Sequence, residues 1–339
     1  MTTQRAAVSA LAGDVGGTNA RLALVRVEGD TLRFERSERY PSHDYPGLGP
    51  IVRRFCREIG ETPDRACFAL AGPVVDGECH ATNLPWTVSA RSLATEIGVP
   101  NASIINDFDA AGHGLGQLKA ADLVTLQPGV PVARGPIALI GAGTGLGEGL
   151  LVWDVDRYRV HSSEGGHVDF APRNEVQSGL ERFLRSRYGH ASYERVLSGR
   201  GLGDVYRYLA EAGGDSPGEQ AAVRAEMDGG ADPAAVITRH AIAGTDALCG
   251  AVVAVFLDVL AAQAGNLALT IAATGGVYIA GGIAPRLIDL LRAGASAFAR
   301  EFAAKGRMTE FLSRVPVRVV MNTDVGLLGA AAVATGRSG

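Results

Sequence analysis

The chain is poor in cysteine, in tryptophan and in net charge, and each shortage removes a class of function. Its 339 residues include four cysteines and two tryptophans. Cys56, Cys67, Cys79 and Cys249 show no C-x-x-C spacing, and although Cys79 stands beside His80, nothing at ligand spacing completes a structural zinc site. Few, scattered thiols suit a reducing compartment, so a cytoplasmic protein is expected. The 32 basic side chains stand against 36 acidic ones, a formal charge of −4. That balance supplies no positive field for nucleic acid or an anionic membrane, so neither is an expected partner. Any phosphate has to be gripped locally, by backbone amides and a metal ion. The most apolar segment, Leu248–Leu257, stops at Asp258 and is followed by Gln263 and Asn266. It is too short to span a bilayer and reads as a buried helix. Met1–Ala12 runs directly into Gly13-Asp14 and reads as a first strand rather than a signal peptide. A G-x-x-x-x-G-K-[ST] phosphate loop is missing, and none of the main glycine loops fits G-x-G-x-x-G. This argues against both a Walker site and a dinucleotide fold.

What is abundant is glycine, 45 residues of it, concentrated in part at two loops. Gly13-Asp14-Val15-Gly16-Gly17-Thr18-Asn19 follows the apolar Ala10–Ala12, and Gly141-Ala142-Gly143-Thr144-Gly145-Leu146-Gly147 follows Ile137–Ile140. Both read as strand-to-strand turns in which glycine lets the backbone approach a bound group and threonine adds a hydroxyl donor. A pair of such loops, one in each half of the chain, can hold the phosphates of one nucleotide from two sides. That points to phosphoryl transfer in a cleft between two lobes. Taken singly, each loop reads equally well as a plain hairpin turn. Asp14 tips the first towards function, because a carboxylate beside a phosphate-gripping turn can hold Mg²⁺ through water.

The secondary-structure pattern runs twice. Val8–Asp14 and Ala20–Val27 predict a β-hairpin over the first loop, followed by a strand at Thr31–Tyr40 and a helix at Leu48–Ile59. Arg65–Gly72 predicts a strand, Ser89–Ile97 a helix capped by Ser89, and Ala102–Ile105 a strand delivering Asn106-Asp107 at its carboxyl end. After residue 110 the series restarts with strands at Ile137–Ile140, Gly149–Val155 and Arg157–His161. Helices are expected at Ser178–Tyr188, Tyr193–Leu197, Gly203–Ala212 and Pro233–Leu267, the last broken near Gly244. Ser216–Gly218 and Gly229–Pro233 read as loops. Val277–Ala280 is a strand, Pro285–Ala293 a helix, Val317–Met321 a strand and Gly326–Ala334 a closing helix. Two lobes of similar plan suggest an ancient duplication.

Three further motifs carry chemistry. Asn106-Asp107 at a strand end places a carboxylate where α/β folds present their reactive groups, and Asp107 there can take a proton from an attacking hydroxyl. An Asx turn or helix cap explains the same pair, and Asp109 is a rival carboxylate. In Ser163-Glu164-Gly165-Gly166-His167 the two glycines let Glu164 and His167 bend toward one ligand, giving convergent hydrogen bonds of the kind a polyol needs. Glu194 is a further carboxylate, on an expected helix, where it could equally be a solvated surface charge. Gly275–Gly282 fits a strand whose end packs flat against an adenine or ribose, or simply a buried strand with a tight turn.

The ordered set of motifs resembles bacterial-type glucokinases of the hexokinase / actin-like ATPase superfamily. The likeness runs through Gly-Asp-Val-Gly-Gly-Thr-Asn-Ala-Arg at 13–21, Ala-Gly-Pro at 71–73, Thr-Asn-Leu-Pro-Trp at 82–86 and Ile-Asn-Asp-Phe at 105–108. It continues through Gly-Thr-Gly-Leu-Gly at 143–147, Ser-Glu-Gly-Gly-His at 163–167, Tyr-Glu-Arg-Val-Leu-Ser-Gly at 193–199 and Gly-Gly-Ile at 281–283. The related repressor–kinase–ORF group usually carries a cysteine-rich zinc motif after its histidine. Here Val168–Val176 holds no cysteine, so the plain glucokinase branch fits better.

The resemblance implies an α/β, two-lobed actin-like ATPase (ribonuclease H-like) fold with its active site in the interlobe cleft. Residues 1–110 plus 322–339 would form the small domain and 111–321 the large one. The implied reaction is ATP-dependent phosphorylation of D-glucose at the 6-hydroxyl, the entry step of glycolysis, with ATP and Mg²⁺ required. Asp107 would be the base, with Asn83, Asn106, Asp107, Glu164, His167 and Glu194 at the sugar. Gly13, Asp14, Val15, Gly16, Gly17, Thr18, Asn19, Gly143, Thr144 and Gly281 would serve the nucleotide, Asp14 holding Mg²⁺ through water. A homodimer is implied as well. A kinase for another hexose is the nearest alternative. A chaperone or filament ATPase of the same fold would leave Glu164-Gly165-Gly166-His167 unexplained. A sugar-sensing repressor would need a DNA-binding helix-turn-helix ahead of the first loop, where only twelve residues precede Gly13.

Overall fold

The computed structural model describes residues 9–29, 31–212 and 217–337. Val8 of the expected first strand and Ser216 of an expected loop lie outside the described residues, as do both ends of the expected small domain. The chain divides into two compact units, Met1–Ala120 with Trp153–Ser162 and Asn322–Gly339, and Ala121–Val152 with Ser163–Met321.

In the first unit β1 (Ser9–Val15), β2 (Asn19–Glu28), β3 (Thr31–Pro41) and β4 (Arg65–Leu70) precede a small three-stranded sheet of β5 (Val74–Val75), β6 (Glu78–His80) and β7 (Thr87–Ser89). β8 (Asn101–Asn106) completes a five-stranded sheet in the order β3-β2-β1-β4-β8. β1 is antiparallel to β2 and parallel to β4, which is parallel to β8. The strand period of two sorts side chains by size. Leu11, Leu22, Leu24, Phe68 and Leu70 enter one core with Leu48, Ile51, Val52 and Phe55 of α1 (Leu48–Ile59) and Leu93 and Ile97 of α2 (Ala90–Ile97). Ala10, Ala12, Ala23, Cys67 and Ala69 face the other way, against Ala110 of α3 (Asp107–Leu115).

The second unit repeats the plan. Its sheet is built from β9 (Leu123–Gln127), β10 (Ile137–Ala142), β11 (Leu146–Asp154), β13 (Gly276–Ala280) and β14 (Val317–Val320), with β12 (Arg157–Ser163), which falls almost wholly in the first unit, at its edge, in the order β12-β11-β10-β13-β14-β9. β10 is antiparallel to β11 and parallel to β13, and β13 is parallel to β14. Strand for strand this is the first sheet again, with β9 added, which is the signature the duplication reading asks for. Helices α4 (Glu175–Tyr188), α5 (Gly199–Ala212), α6 (Ala221–Asp228), α7 (Pro233–Ala243) and α8 (Ala247–Thr270) lead to β13. Four shorter ones, α9 (Ile283–Arg286), α10 (Ile288–Ala293), α11 (Ala295–Ala303) and α12 (Thr309–Ser313), fill the stretch before β14. The last helix, α13 (Val325–Thr335), packs in the first unit, where Leu327, Ala330, Ala331 and Ala334 meet the alanine face of the sheet. Small residues on both sides bring the backbones together: a methyl group on Gly329 would overlap the Ala110 carbonyl.

Several expectations need correction. The break expected near Gly244 within Pro233–Leu267 is present, with Gly244 in the left-handed conformation (φ 65°), but the second helix runs on to Thr270. α8 is therefore long and apolar enough to cross a membrane by length and composition, not too short as expected from Leu248–Leu257. It is a core helix all the same, with Leu248, Val252, Phe256, Leu260 and Ala264 fully buried. Tyr193–Leu197 forms only one 3-10 turn, Tyr193–Arg195, because Gly199 ties down the chain beyond it through its N–H to the Gly143 carbonyl (2.8 Å). Ser89 flanks α2 but makes no capping hydrogen bond with its side chain. Pro285–Ala293 is broken at Leu287 into α9 and α10.

Candidate active site

The first glycine loop is the turn between β1 and β2, closed by Gly16 N–H donating to the Asn19 carbonyl at 2.9 Å. Sequence reasoning missed what braces it. Ser42 is fully buried, its hydroxyl donates to the Gly16 carbonyl (2.9 Å) and its N–H to the Thr18 carbonyl (2.9 Å). Ser42 follows the strand end Tyr40-Pro41, and nothing in the sequence marks it as different from any surface serine. Gly13 is glycine for space, since a methyl group would stand 2.5 Å from the Phe68 ring. Gly17 lies against Asn83, with 2.8 Å from a methyl group there to the Asn83 Cβ. The expected sugar residue Asn83 is thus brought to the expected phosphate loop.

Asp14 faces Arg21 across the β1–β2 ladder. Arg21 also donates to Ser37 (3.2 Å) and pairs with Asp324. Burial raises the Asp14 carboxyl above the usual range, opposed by Arg21 and Arg39. Among the described residues no three His, Cys, Asp or Glu side chains cluster as a metal site.

Asn106 and Asp107 sit where β8 meets α3. Asn106 is a helix cap, as one of its two readings has it. Its Oδ1 caps the helix, accepting from the N–H groups of Phe108 (2.7 Å) and Asp109 (3.3 Å), while Nδ2 donates to the Gly72 carbonyl (3.0 Å). Those bonds fix the strand-to-helix corner that presents Asp107 in the first turn. Burial, with the Asp14 carboxylate next, pushes Asp107 up to about 6. The rival Asp109 is committed elsewhere: its Oδ1 accepts from Ser162 N–H at 2.8 Å.

In the second unit the loop between β10 and β11 is closed by Gly143 N–H to the Gly145 carbonyl (2.8 Å). Thr144 is exposed, and no protein atom lies within 4 Å of a methyl group placed on Gly143. Glu194 is not a solvated helix-face charge. Its Oε2 accepts from Leu146 N–H (3.0 Å), and Gly145 passes so close that a methyl group would come within 2.5 Å of that oxygen. Gly281 has φ 83° and lies against the Ala142 backbone, a place only glycine fills. Glu164, Gly165, Gly166 and His167 form a tight turn, with His167 N–H donating to the Glu164 carbonyl (3.0 Å) and Nε2 3.7 Å from the Glu164 carboxylate. Both side chains are largely exposed.

The structure therefore gathers Gly13, Asp14, Val15, Gly16, Gly17, Thr18 and Asn19 with Asn83 in one unit, and Asn106 with Asp107 in the same unit. It gathers Gly143, Thr144, Gly281 and Glu194 in the other, along with the Glu164–His167 turn. A buried carboxylate, Glu148, underlies that turn and was also missed. Its signal was a charge in the middle of an apolar strand, flanked by Gly147 and Gly149.

Known proteins match this arrangement along the whole chain. The family model described as Glucokinase matches residues 11–337. A glucokinase of Nostoc sp. is 43% identical over 336 residues, spanning 95% of this chain and 97% of its own. The crystal structure of a glucokinase from an Antarctic psychrotroph superposes with a TM-score of 0.82 at 32% identity, over 97% of this chain and 99% of that one. The ROK family glucokinase of Streptomyces griseus, solved with glucose and AMPPNP, shares the fold at 21% identity with a TM-score of 0.65, over 97% and 99% of the two chains. The fold is thus the actin-like ATPase fold of sugar kinases, and the chain belongs to the glucokinase family.

Proposed function

We propose that this chain transfers the γ-phosphoryl group of ATP to the 6-hydroxyl of D-glucose, giving glucose 6-phosphate and ADP. The observation that carries the reading is Asp107, held at the β8–α3 corner with its carboxyl raised to about 6. At neutral pH such a group is ionised yet basic enough to accept a proton. It would take the hydrogen of O6 as the O6–phosphorus bond forms and the bond to the β,γ-bridging oxygen breaks. Because the transition state is loose, proton removal is late, and positioning and charge neutralisation carry most of the rate.

Asn106 keeps one N–H beyond its bond to Gly72 and can offer it to a sugar hydroxyl. Glu164 adds a carboxylate acceptor and His167 an imidazole across their turn, Glu194 a further acceptor, and Asn83 an amide beside the phosphate loop. The amides of Gly17 to Asn19, with the Thr18 hydroxyl, would hold phosphate. Gly143 and Thr144, with Gly281 near them, would serve the nucleotide as well. Asp14 suits Mg²⁺, which takes one or two carboxylates and completes its shell with phosphate oxygens and water. When bound, Mg²⁺ would neutralise charge on the phosphates. A homodimer and a cytoplasmic location belong to the same reading; the first rests on the resemblance, the second on four unpaired cysteines.

The test is a sugar panel with Mg²⁺-ATP. ADP release is followed in all cases, and the glucose product is identified with glucose-6-phosphate dehydrogenase. Glucose should be turned over best, with product accepted by that enzyme. Better turnover of another hexose would keep the mechanism and overturn the substrate.

A further inference from the structure

Beneath the Glu164–His167 turn lies a chain of polar side chains inside an otherwise apolar core. Glu148 and Gln263 are 2% and 4% exposed. Gln263 Nε2 donates to Glu148 Oε1 at 2.8 Å, and Asn266 Nδ2 donates to Gln263 Oε1 at 2.9 Å. Lys305 in turn donates to Asn266 Oδ1. Every donor therefore points the same way, from the Lys305 ammonium through two amides to the Glu148 carboxylate. Aligned hydrogen bonds of this kind polarise one another, and both amides are locked in one orientation. Gly265 makes the arrangement possible, because any side chain there would collide with the Phe302 carbonyl and press on the Lys305 stem.

At two points, Glu148 and Asn266, the relay abuts chain neighbours of the proposed sugar residues. Glu148 Oε2 faces Gly165 so closely that a methyl group there would overlap it. The Ser163 hydroxyl donates to the Glu148 carbonyl (3.2 Å) and accepts from Gly165 N–H (3.2 Å). On the other side Asn266 Nδ2 also donates to the Tyr193 hydroxyl (3.0 Å), and Tyr193, held edge-on to Phe170, adjoins Glu194. A buried carboxylate and a half-buried ammonium cost far more than apolar residues would at these positions, so their presence calls for a positional reason.

We propose that the Lys305–Asn266–Gln263–Glu148 relay positions Glu164, His167 and Glu194 for the sugar, and that Glu148 and Lys305 are positioning residues for glucose recognition. This rests on the glucose-phosphorylating reading above. Glu148→Gln keeps the volume but loses the charged acceptor, and Lys305→Met removes the cation at the far end. Glu148 directly follows Gly147, but its carboxylate is bonded to Gln263 and faces Gly165 rather than the phosphate loops, so each variant should raise the glucose KM about tenfold, the effect of one lost charged hydrogen bond, and leave the ATP KM within about twofold. The double variant should be no worse than the poorer single one, because both break the same relay. Glucose binding by wild-type protein is measured first, by calorimetry. If wild type binds no glucose, the functional reading fails. If it binds and the variants match it, or if both KM values rise together, the relay does not position the sugar residues.

Discussion

The Leu146 amide donates to the Glu194 carboxylate at 3.0 Å, so a residue expected at the sugar is tied to the loop expected at the phosphates. On the proposed reading Glu194 would have two duties, which substitution can separate. Glu194→Gln keeps an acceptor for Leu146 and should raise chiefly the glucose KM. Glu194→Ala frees the loop too and should raise both KM values, by about ten- to hundredfold for glucose, the range for a lost bond to a charged group. Steady-state kinetics with each substrate varied in turn makes the comparison.

If Asp107 is the base, as proposed, its raised carboxyl should set the acid limb of activity. The base works ionised, so kcat/KM should fall about tenfold per pH unit below 6, the value to which burial and Asp14 push it. Asp109→Asn should keep this limb, since Asp109 is occupied by Ser162 N–H, and shift it only slightly downward, because the Asp109 charge adds the smallest contribution to the rise of Asp107. A limb that disappeared with Asp109 would reassign the base.

The same shift has a consequence for stability. A carboxyl raised on folding holds its proton more tightly in the folded state than in the unfolded one, so ionising it costs stability as pH rises from near 3.8 to about 6. Asp107→Asn should therefore stabilise the protein above pH 6, on the order of 3 kcal/mol less whatever solvent screening removes, with the gain vanishing below pH 4. Thermal unfolding of both proteins at pH 4 and pH 7.5 checks the sign.

Two glycines of the nucleotide region should respond in opposite ways. Gly143→Ala meets no protein atom within 4 Å and should leave thermal stability unchanged while raising the ATP KM. Gly281→Ala faces a φ of 83° and the Ala142 backbone, and should cost ~1–3 kcal/mol of stability. Differential scanning calorimetry beside ATP titration separates the two.

The parts of this fold that were legible in the sequence are those where local pattern and tertiary need agree. The hairpins around both glycine loops, α1 and the last helix follow from period-two and helical apolar spacing. The small sheet of β5, β6 and β7 went unread because strands of two and three residues carry no period. The short helices α11 and α12 went unread because alanine-rich and mixed stretches give no distinct stripe. At the site, Asp107 was legible as a carboxylate at a strand end. Ser42 and Glu148 were not, because their roles depend on partners 26 and 115 residues away. The cap bonds of Asn106 fix the corner that carries Asp107, so the cap does not exclude the proposed site role.

The most direct test of the account is Asp107→Asn, with glucose binding measured by calorimetry and turnover by the coupled assay. The account expects glucose affinity within about twofold of wild type and turnover lower by ~10²–10⁴, the effect of a lost general base. Near-normal turnover would contradict it, and would show that Asp107 is not the base.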